Sequence, residues 1–183
     1  EGIILPGIKA VEDWEYNDEQ LSLITRNVRS PEMRLGDYRA QLGANRVGSE
    51  RYTDLRDEYG SSPLTENLDE LLDYTERVVR AAVDELPDGT YQAEDYMDGD
   101  GISEDQCRLK LTITVEGDEM TLDFTGTADE NEGPLNCTPA MAFAGTMAVV
   151  MSLIGGGLPK NDGFYRSFEL ITPEGSMVNP TYN

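Results

Sequence analysis

The chain has 183 residues, 38% of them hydrophobic, which is enough for one domain with its own core and too apolar for disorder throughout. Its 36 Asp and Glu residues against 14 Lys and Arg give a formal net charge of -22, which argues against binding to nucleic acid or to an anionic membrane. Histidine is absent, so these residues alone cannot form a His-based zinc site or a Ser-His-Asp triad.

The basic residues and the cysteines indicate where the protein works. Lys9, Lys110 and Lys160 are the only lysines, so eleven of the 14 basic residues are arginines. This balance favours a salt-rich cytoplasm, where screening over about 3 Å at 1 M salt relieves self-repulsion, and an ordinary acidic protein is the alternative. Cys107 and Cys137 are too few for a disulfide framework, and no secretory signal is recognisable, so we expect a cytoplasmic protein.

The first thirty residues predict an extended segment and a helix. An apolar run at residues 3–5 favours extended backbone to about Val11. Asn17 and Gln20 have the spacing of a capping box, which predicts a helix over residues 18–29.

A long helix is predicted from Pro31 to about Tyr59. Ser30 offers a capping hydroxyl, and the proline ring that follows needs no amide partner. Three glycines interrupt this helix at positions 36, 43 and 48, where each costs about 1 kcal/mol relative to alanine. We therefore expect another backbone to approach the helix closely at those positions.

One stripe of the long helix is polar. At about 100° per residue it comprises Arg34, Gln41, Asn45 and Tyr52, with Asp37 and Tyr38 at its edges. Apolar residues lie on both sides of the stripe, so we expect a helix that is packed on two sides. Two interpretations stay open: a buried network of Arg34, Asp37 and the two carboxamides, or a surface that faces a ligand or a partner.

The next helix is the most regular element of the sequence. Gly60 and Pro63 separate it from the long helix, and apolar residues at i, i+3 and i+4 continue to Leu86. Pro87 and Gly89 then end it.

Beyond Gly89 the sequence predicts strands. Residues 91–96 form the first, and two alternating runs then form a hairpin with its turn at residues 117–118. This register pairs Val115 with Met120, Ile113 with Leu122 and Leu111 with Phe124. The opposite, polar face of the hairpin then carries Lys110, Thr112, Asp123 and Thr125.

An Ala/Met-rich stretch from Thr138 to about Ile154 is apolar on every side, which predicts a buried helix that is too short to span a membrane. The glycines at 155–157 follow this helix and cap it, and a last strand is predicted over residues 168–172. We expect an α+β fold in which long helices precede an antiparallel β-hairpin region and the buried helix. The prediction is a single partial domain over residues 1–183, helical over 17–86 and β-rich over 89–183.

Several motifs, taken in their order along the chain, resemble the B-subunit family of ATP-dependent hydantoinases and oxoprolinases. The motifs are Glu1-Gly2-Ile3, Asn27-Val28-Arg29-Ser30-Pro31, Arg34-Leu35-Gly36-Asp37-Tyr38-Arg39-Ala40-Gln41, Leu86-Pro87-Asp88-Gly89, Asp123-Phe124-Thr125-Gly126, Gly133-Pro134-Leu135-Asn136 and Pro173-Glu174-Gly175. They extend over essentially the whole chain, and each alone is a weak signal.

The resemblance implies a function for a longer protein, of which we expect this chain to be an internal piece. Family members open cyclic amides such as hydantoins or 5-oxoproline beside a hydantoinase A-like subunit that carries the ATP site. The resemblance therefore implies ATP and a divalent metal for the complete enzyme, and neither cofactor in this piece. Acetone and acetophenone carboxylases are similar in sequence, so a carboxylase-type subunit is one alternative, and a non-catalytic subunit-interaction module is the other.

The family motifs supply the candidate site residues without assigning catalytic roles. The candidates for contact with substrate or partner are Arg34, Asp37, Gln41, Asn45, Asp123, Thr125 and Asn136. An arginine and two carboxamides can hold a cyclic imide through paired hydrogen bonds. No metal ligands are assigned, because the His/Asp cluster of the carboxylase relatives precedes the segment that matches here. Cys137 is expected to be a small buried cysteine, since no His is present to activate it.

Overall fold

A computed structural model describes residues 5–154 and 159–181 and has the expected α+β fold. Its elements are β1 (Val11–Glu12), β2 (Glu15–Tyr16), α1 (Asp18–Thr25), α2 (Pro31–Tyr59), α3 (Ser61–Asp84), β3 (Gly89–Met97), β4 (Cys107–Glu116), β5 (Glu119–Asp123), α4 (Pro139–Leu153), a 3-10 helix (Asp162–Ser167) and β6 (Phe168–Ile171). The chain divides into two compact units, Glu1–Glu66 and Asn67–Asn183. None of the described helices has the length and hydropathy needed to cross a membrane.

Helix α1 begins as predicted and ends four residues early. The Asn17 side chain accepts hydrogen bonds from the backbone N–H groups of Glu19 and Gln20. The backbone N–H of Asn17 donates to the carbonyl of Ala10. Only half of the expected capping box therefore forms. The prediction that α1 reaches Arg29 is wrong because Asn27 folds back, its side chain donating to the Leu23 carbonyl at 2.7 Å.

Helix α2 has the predicted length but neither the predicted cap nor the predicted burial. Ser30 lies in the left-handed region (φ 53°), and its side chain makes no capping hydrogen bond, so only Pro31 fulfils its predicted role. None of the 29 residues is buried. Apart from adjacent residues and the helix's own backbone, no described atom lies within 4 Å of a Cβ placed on any of the three helical glycines. The expected close approach of another backbone at these positions is therefore not seen among the described residues.

The second unit contains a four-stranded sheet in the order β3-β4-β5-β6. Strands β3, β4 and β5 are antiparallel, and β6 runs parallel to β5. The predicted pairs Val115–Met120 and Ile113–Leu122 are confirmed. The third expected pair, Leu111–Phe124, is not part of the ladder, because β5 ends at Asp123 and the Phe124 N–H donates to the Ile171 carbonyl instead.

One face of this sheet carries the core of the second unit. Val79 and Val83 of α3 and Met147 and Val150 of α4 pack with sheet residues in a single buried cluster. Helix α4 starts as predicted at Thr138, whose hydroxyl accepts from the Met141 N–H. Burial covers only one side of α4, so the expectation of a wholly buried helix is wrong, because no described residue covers its other side. The glycines at 155–157 and the apolar residues at 3–4 lie outside the described residues.

Candidate binding cleft

A cleft of about 440 Å³ lies within the first unit. The β1–β2 hairpin, α1 and α2 form its walls, which consist of Ala10, Val11, Trp14, Tyr16, Leu21, Ile24, Tyr38, Gln41, Leu42 and Asn45. The lining is mainly aliphatic and aromatic with a few polar groups, which is the usual make-up of a small-molecule site.

The tight turn of the hairpin brings an aromatic side chain to the cleft. Glu12 pairs with Glu15, so Asp13 and Trp14 form a two-residue turn with φ values of 50° and 67°. Positive φ is uncommon for a residue as bulky as tryptophan, and such backbone strain is often found where a side chain has a function. Trp14 is 44% exposed, so its ring lines the cleft while still in contact with solvent.

The polar groups of the cleft have no partners within the described chain. Gln41 and Asn45 lie one turn apart on α2, and neither carboxamide makes a side-chain hydrogen bond to a described residue. The hydroxyl of Tyr16 is shielded from solvent and also lacks a partner there. Buried polar groups are normally satisfied, so the shielded Tyr16 hydroxyl marks the cleft as a candidate ligand site. The two carboxamides beside it are exposed and can exchange water for a ligand.

The structure separates the four residues that the sequence placed on one stripe. Gln41 and Asn45 line the cleft, whereas Arg34 and Asp37 do not. Arg34 does pair with Asp37 at 3.1 Å, as predicted, but the two side chains are 51% and 49% exposed. The buried-network interpretation is therefore wrong for this chain, because both side chains of the pair are about half exposed.

Asp123 and Thr125 stabilise a local turn in this structure. The Asp123 carboxylate accepts from the Thr125 N–H at 2.8 Å, which forms a turn at the end of β5. Asn136 has a similar bracing role, since its amide donates to the Asn131 carbonyl at 2.7 Å and accepts from the Asn131 N–H at 3.0 Å. Whether these three residues also contact a substrate or a partner stays a prediction.

Asp100 is a structurally important residue that the sequence did not single out. Its buried carboxylate accepts from the backbone N–H groups of Ile102, Ser103 and Gly133. These hydrogen bonds, first those from Ser103 and Ile102, hold the pKa of Asp100 below its ordinary value. A Cβ on Gly133 would collide with the Asp100 carbonyl, which explains the glycine of the Gly133-Pro134 motif. Asp100 and Gly133 are 33 residues apart in the sequence, so no local sequence pattern could predict their contact.

The charged residues around Glu76 and Arg80 of α3 form ion pairs with one another. Glu76 accepts from Arg80 at 2.9 Å and from Arg166 at 3.0 Å, and these bonds lower the pKa of the Glu76 carboxyl. Arg80 also contacts Asp118 and Glu119 at the β4–β5 turn. Because each charge has a partner, this cluster is an internal brace and offers no free group to a ligand.

The described residues do not fit the ATP and metal that the sequence resemblance implies for a complete enzyme. Within residues 5–154 and 159–181, no three His, Cys, Asp or Glu side chains are grouped so that they could hold a metal ion. The sequence also lacks a Gly-rich loop that ends in Lys-Ser or Lys-Thr. Cys137 is only half-buried, so the expectation of a buried cysteine is met in part. This partial burial raises the pKa of the Cys137 thiol, which disfavours the thiolate. Because the described residues fit neither ATP nor a metal ion, no reaction step is assigned through either of them.

The fold and the cleft thus define an α+β module with an aromatic, carboxamide-bearing site in its helical unit. The sequence profile of the Hydantoinase B/oxoprolinase family matches residues 1–183. The chain belongs to this family, as its motifs suggested.

Three similar proteins place the chain among larger polypeptides. A protein of Pseudomonas sp. (strain NS671), assigned as the B component of a D-/L-hydantoinase, is 30% identical over all of this chain and 33% of its own length. The ATP-dependent caprolactamase structure from Pseudomonas jessenii shares the fold (TM-score 0.84, 24% identity) over 99% of this chain and 31% of that one. An acetone carboxylase structure also shares it (TM-score 0.77, 18% identity) over 91% and 24% of the two chains. The chain therefore spans about a third or less of the length of these relatives.

Proposed function

We propose that this chain is part of the B subunit of an ATP-dependent cyclic-amide hydrolase of the N-methylhydantoinase or 5-oxoprolinase type. The observation that carries the proposal is the family match over residues 1–183. A cytoplasmic, hydantoinase A-like subunit supplies the ATP site, and the substrate is a small cyclic amide. The caprolactamase relative supports this reaction class, because caprolactam is itself a cyclic amide and that enzyme is ATP-dependent.

Within this function, the cleft of the first unit binds the amide ring. A ring such as a lactam or hydantoin holds its amide in the cis form, so N–H and C=O lie side by side on one edge. The carboxamide of Gln41 or Asn45 offers the matching acceptor and donor, and a flat ring fits against Trp14. An open-chain amide is trans and presents the two groups on opposite edges, so the cleft favours the ring.

Ligand binding can be read from Trp14, which is the only tryptophan of the chain. We expect 2-pyrrolidinone to change its fluorescence and N-methyl-2-pyrrolidinone, which lacks the N–H, to bind roughly three- to tenfold more weakly. Gln41→Leu and Asn45→Leu should weaken 2-pyrrolidinone binding by a similar factor. Gln92→Leu, on exposed strand β3, is the matched control and should change nothing. Equal affinity for the two lactams, or unchanged binding in both cleft variants, contradicts a role for the carboxamides.

The reaction itself is tested on the complete assembly. The full-length protein with its partner should open N-methylhydantoin or 5-oxoproline only when ATP and a divalent metal are present. The 183-residue chain alone should give no ADP, AMP or ring-opened product above blank, because nothing among its described residues fits a nucleotide or a metal. Turnover by the isolated chain would overturn the assignment of this chemistry to other parts of the enzyme.

A carboxylase-type subunit is the second candidate function. The acetone carboxylase structure shares the fold over 91% of this chain, which is the observation in its favour. The carboxylase reaction attaches a carboxyl group to a ketone, whereas the hydrolase reaction opens an amide ring. Incorporation of ¹³C-bicarbonate into a ketone by the complete assembly, without ring opening of any cyclic amide, would favour the carboxylase.

A non-catalytic interaction module is the third candidate, from a different functional class. The observation in its favour is that α2 buries none of its 29 residues and leaves its glycines uncovered by described atoms. On this hypothesis α2 docks on a partner subunit. Gly43→Leu should then abolish co-purification of that subunit, whereas turnover without stable association would argue against it.

A further inference from the structure

We propose that the open side of helix α4 and the groove beside it form the surface on which an apolar helix from the remaining part of the same polypeptide packs. This inference concerns assembly of the polypeptide. It rests on the family assignment and does not depend on which reaction the complete enzyme performs.

The first observation is the composition of α4. None of its 15 residues is charged, yet only Met147 and Val150 are buried. A second row of residues, spaced four apart at positions 141, 145, 149 and 153, lies on the open side. Met141, Val149 and Leu153 in this row are 65%, 61% and 70% exposed. A helix that is apolar on all sides is normally covered on all sides, so this row indicates a missing neighbour.

The second observation is an apolar groove that begins at this row. A cavity of about 480 Å³ lies between α4 and the β4 face that carries Leu109, Leu111 and Ile113. Its volume suits several side chains of leucine size, which is what one face of about two helical turns presents. Apart from adjacent residues and the helix's own backbone, no described atom lies within 4 Å of a Cβ on Gly145, so another backbone can approach α4 closely at this point.

The third observation is that the sheet is also open on this side. Strand β3 pairs only with β4 among the described strands, and all nine of its residues are exposed. Paired residues share a face of the sheet, so Ala93 lies beside Leu111 and Met97 lies beside Cys107. The groove therefore continues toward an edge strand that has a free row of backbone donors and acceptors, which proteins normally cover.

The occupant is identified by length and by charge. The chain spans 33% and 31% of the lengths of two relatives, so about two thirds of each such polypeptide lies elsewhere and can cover this surface. At low ionic strength a second copy of this chain fits less well, because two molecules of formal charge -22 repel each other. A segment joined to the same polypeptide also binds without the entropic cost of bringing two molecules together.

The test compares thiol labelling in the 183-residue chain and in the full-length polypeptide. Val149→Cys and Leu153→Cys place thiols on the open row, and Ile102→Cys places one in a loop of similar exposure (67%) that does not line the groove. Maleimide labelling is followed peptide by peptide by mass spectrometry, which separates these thiols from Cys107 and Cys137. Native mass is measured for each sample.

We expect all three thiols to be labelled in the short chain. In the monomeric full-length polypeptide, labelling at 149 and 153 should slow by more than about tenfold, while labelling at 102 stays the same. Equal labelling of the open row in both proteins would overturn the proposal. Protection that appears only in a dimer of the short chain, or only after the partner subunit is added, would overturn it as well, because the occupant would then be a second copy or the partner.

Discussion

Replacing Tyr16 with phenylalanine tests whether the binding cleft contains a buried hydroxyl that has no hydrogen-bond partner. The Tyr16 hydroxyl is shielded from solvent and has no hydrogen-bond partner among the described residues. Leaving a buried hydroxyl unsatisfied costs about 1–3 kcal/mol, and its removal leaves the ring in place. We therefore expect Tyr16→Phe to raise the free energy of unfolding by about 1 kcal/mol.

The same substitution at Tyr91 is the matched control, with the opposite sign. The Tyr91 hydroxyl donates to the Pro87 carbonyl at 2.9 Å in an exposed position. Loss of that bond should lower the free energy of unfolding by about 0.5 kcal/mol, the low end of the range for one hydrogen bond. The two variants remove the same atom, and the expected signs differ because the Tyr16 hydroxyl is buried without a partner and the Tyr91 hydroxyl is exposed with one.

Urea unfolding separates the two effects. Trp14, the only tryptophan, reports on the first unit, and far-ultraviolet circular dichroism follows both units. A Tyr16→Phe variant that is less stable than the parent by about 1 kcal/mol would refute the reasoning, because the hydroxyl must then already have a partner. Such a result would also remove Tyr16 from the free polar groups of the cleft.

Three further predictions concern charge. Arg34→Ala should lower the free energy of unfolding by only about 0.3–0.5 kcal/mol, because its pair with Asp37 is exposed, and a loss of several kcal/mol would restore the buried network. The thermal midpoint of the chain should rise between about 0.1 M and 2 M KCl as salt screens the charge of -22, and a flat or falling midpoint would remove the case for a salt-rich cytoplasm. Because the pKa of folded Asp100 lies below its unfolded value, its stabilisation is complete above the unfolded pKa and is lost as pH falls through the folded one. The check is the free energy of unfolding as a function of pH. Asp100→Asn should be less stable than the parent near neutral pH and equal to it at low pH, whereas the exposed control Asp69→Asn should match the parent throughout.

Short-range features of this fold could be predicted from the sequence. Helix α2 begins and ends where Pro31 and Gly60 require, and the β4–β5 hairpin has the register that its alternating residues predict. In both cases the determining contacts join residues at most 11 positions apart, so composition and spacing contain the information.

Long-range contacts decided the features that the sequence did not reveal. Asn161 donates to the Thr75 hydroxyl from 86 residues away, and β6 joins the sheet parallel to β5. The cleft shows the same division, because periodicity placed Gln41 and Asn45 on one stripe but could not bring Trp14 beside them. That required the hairpin to fold against α1 and α2.

Burial was the property least accessible from the sequence. Helical periodicity shows which residues share a face, and it placed Gln41 and Asn45 together on α2 and the apolar residues together on α4. It carries no information about whether another element covers that face. The sequence therefore determined the helices, the hairpin and the chemical character of each face. Only the tertiary structure decided that Arg34 and Val149 face solvent, because exposure depends on neighbours that lie far away along the chain.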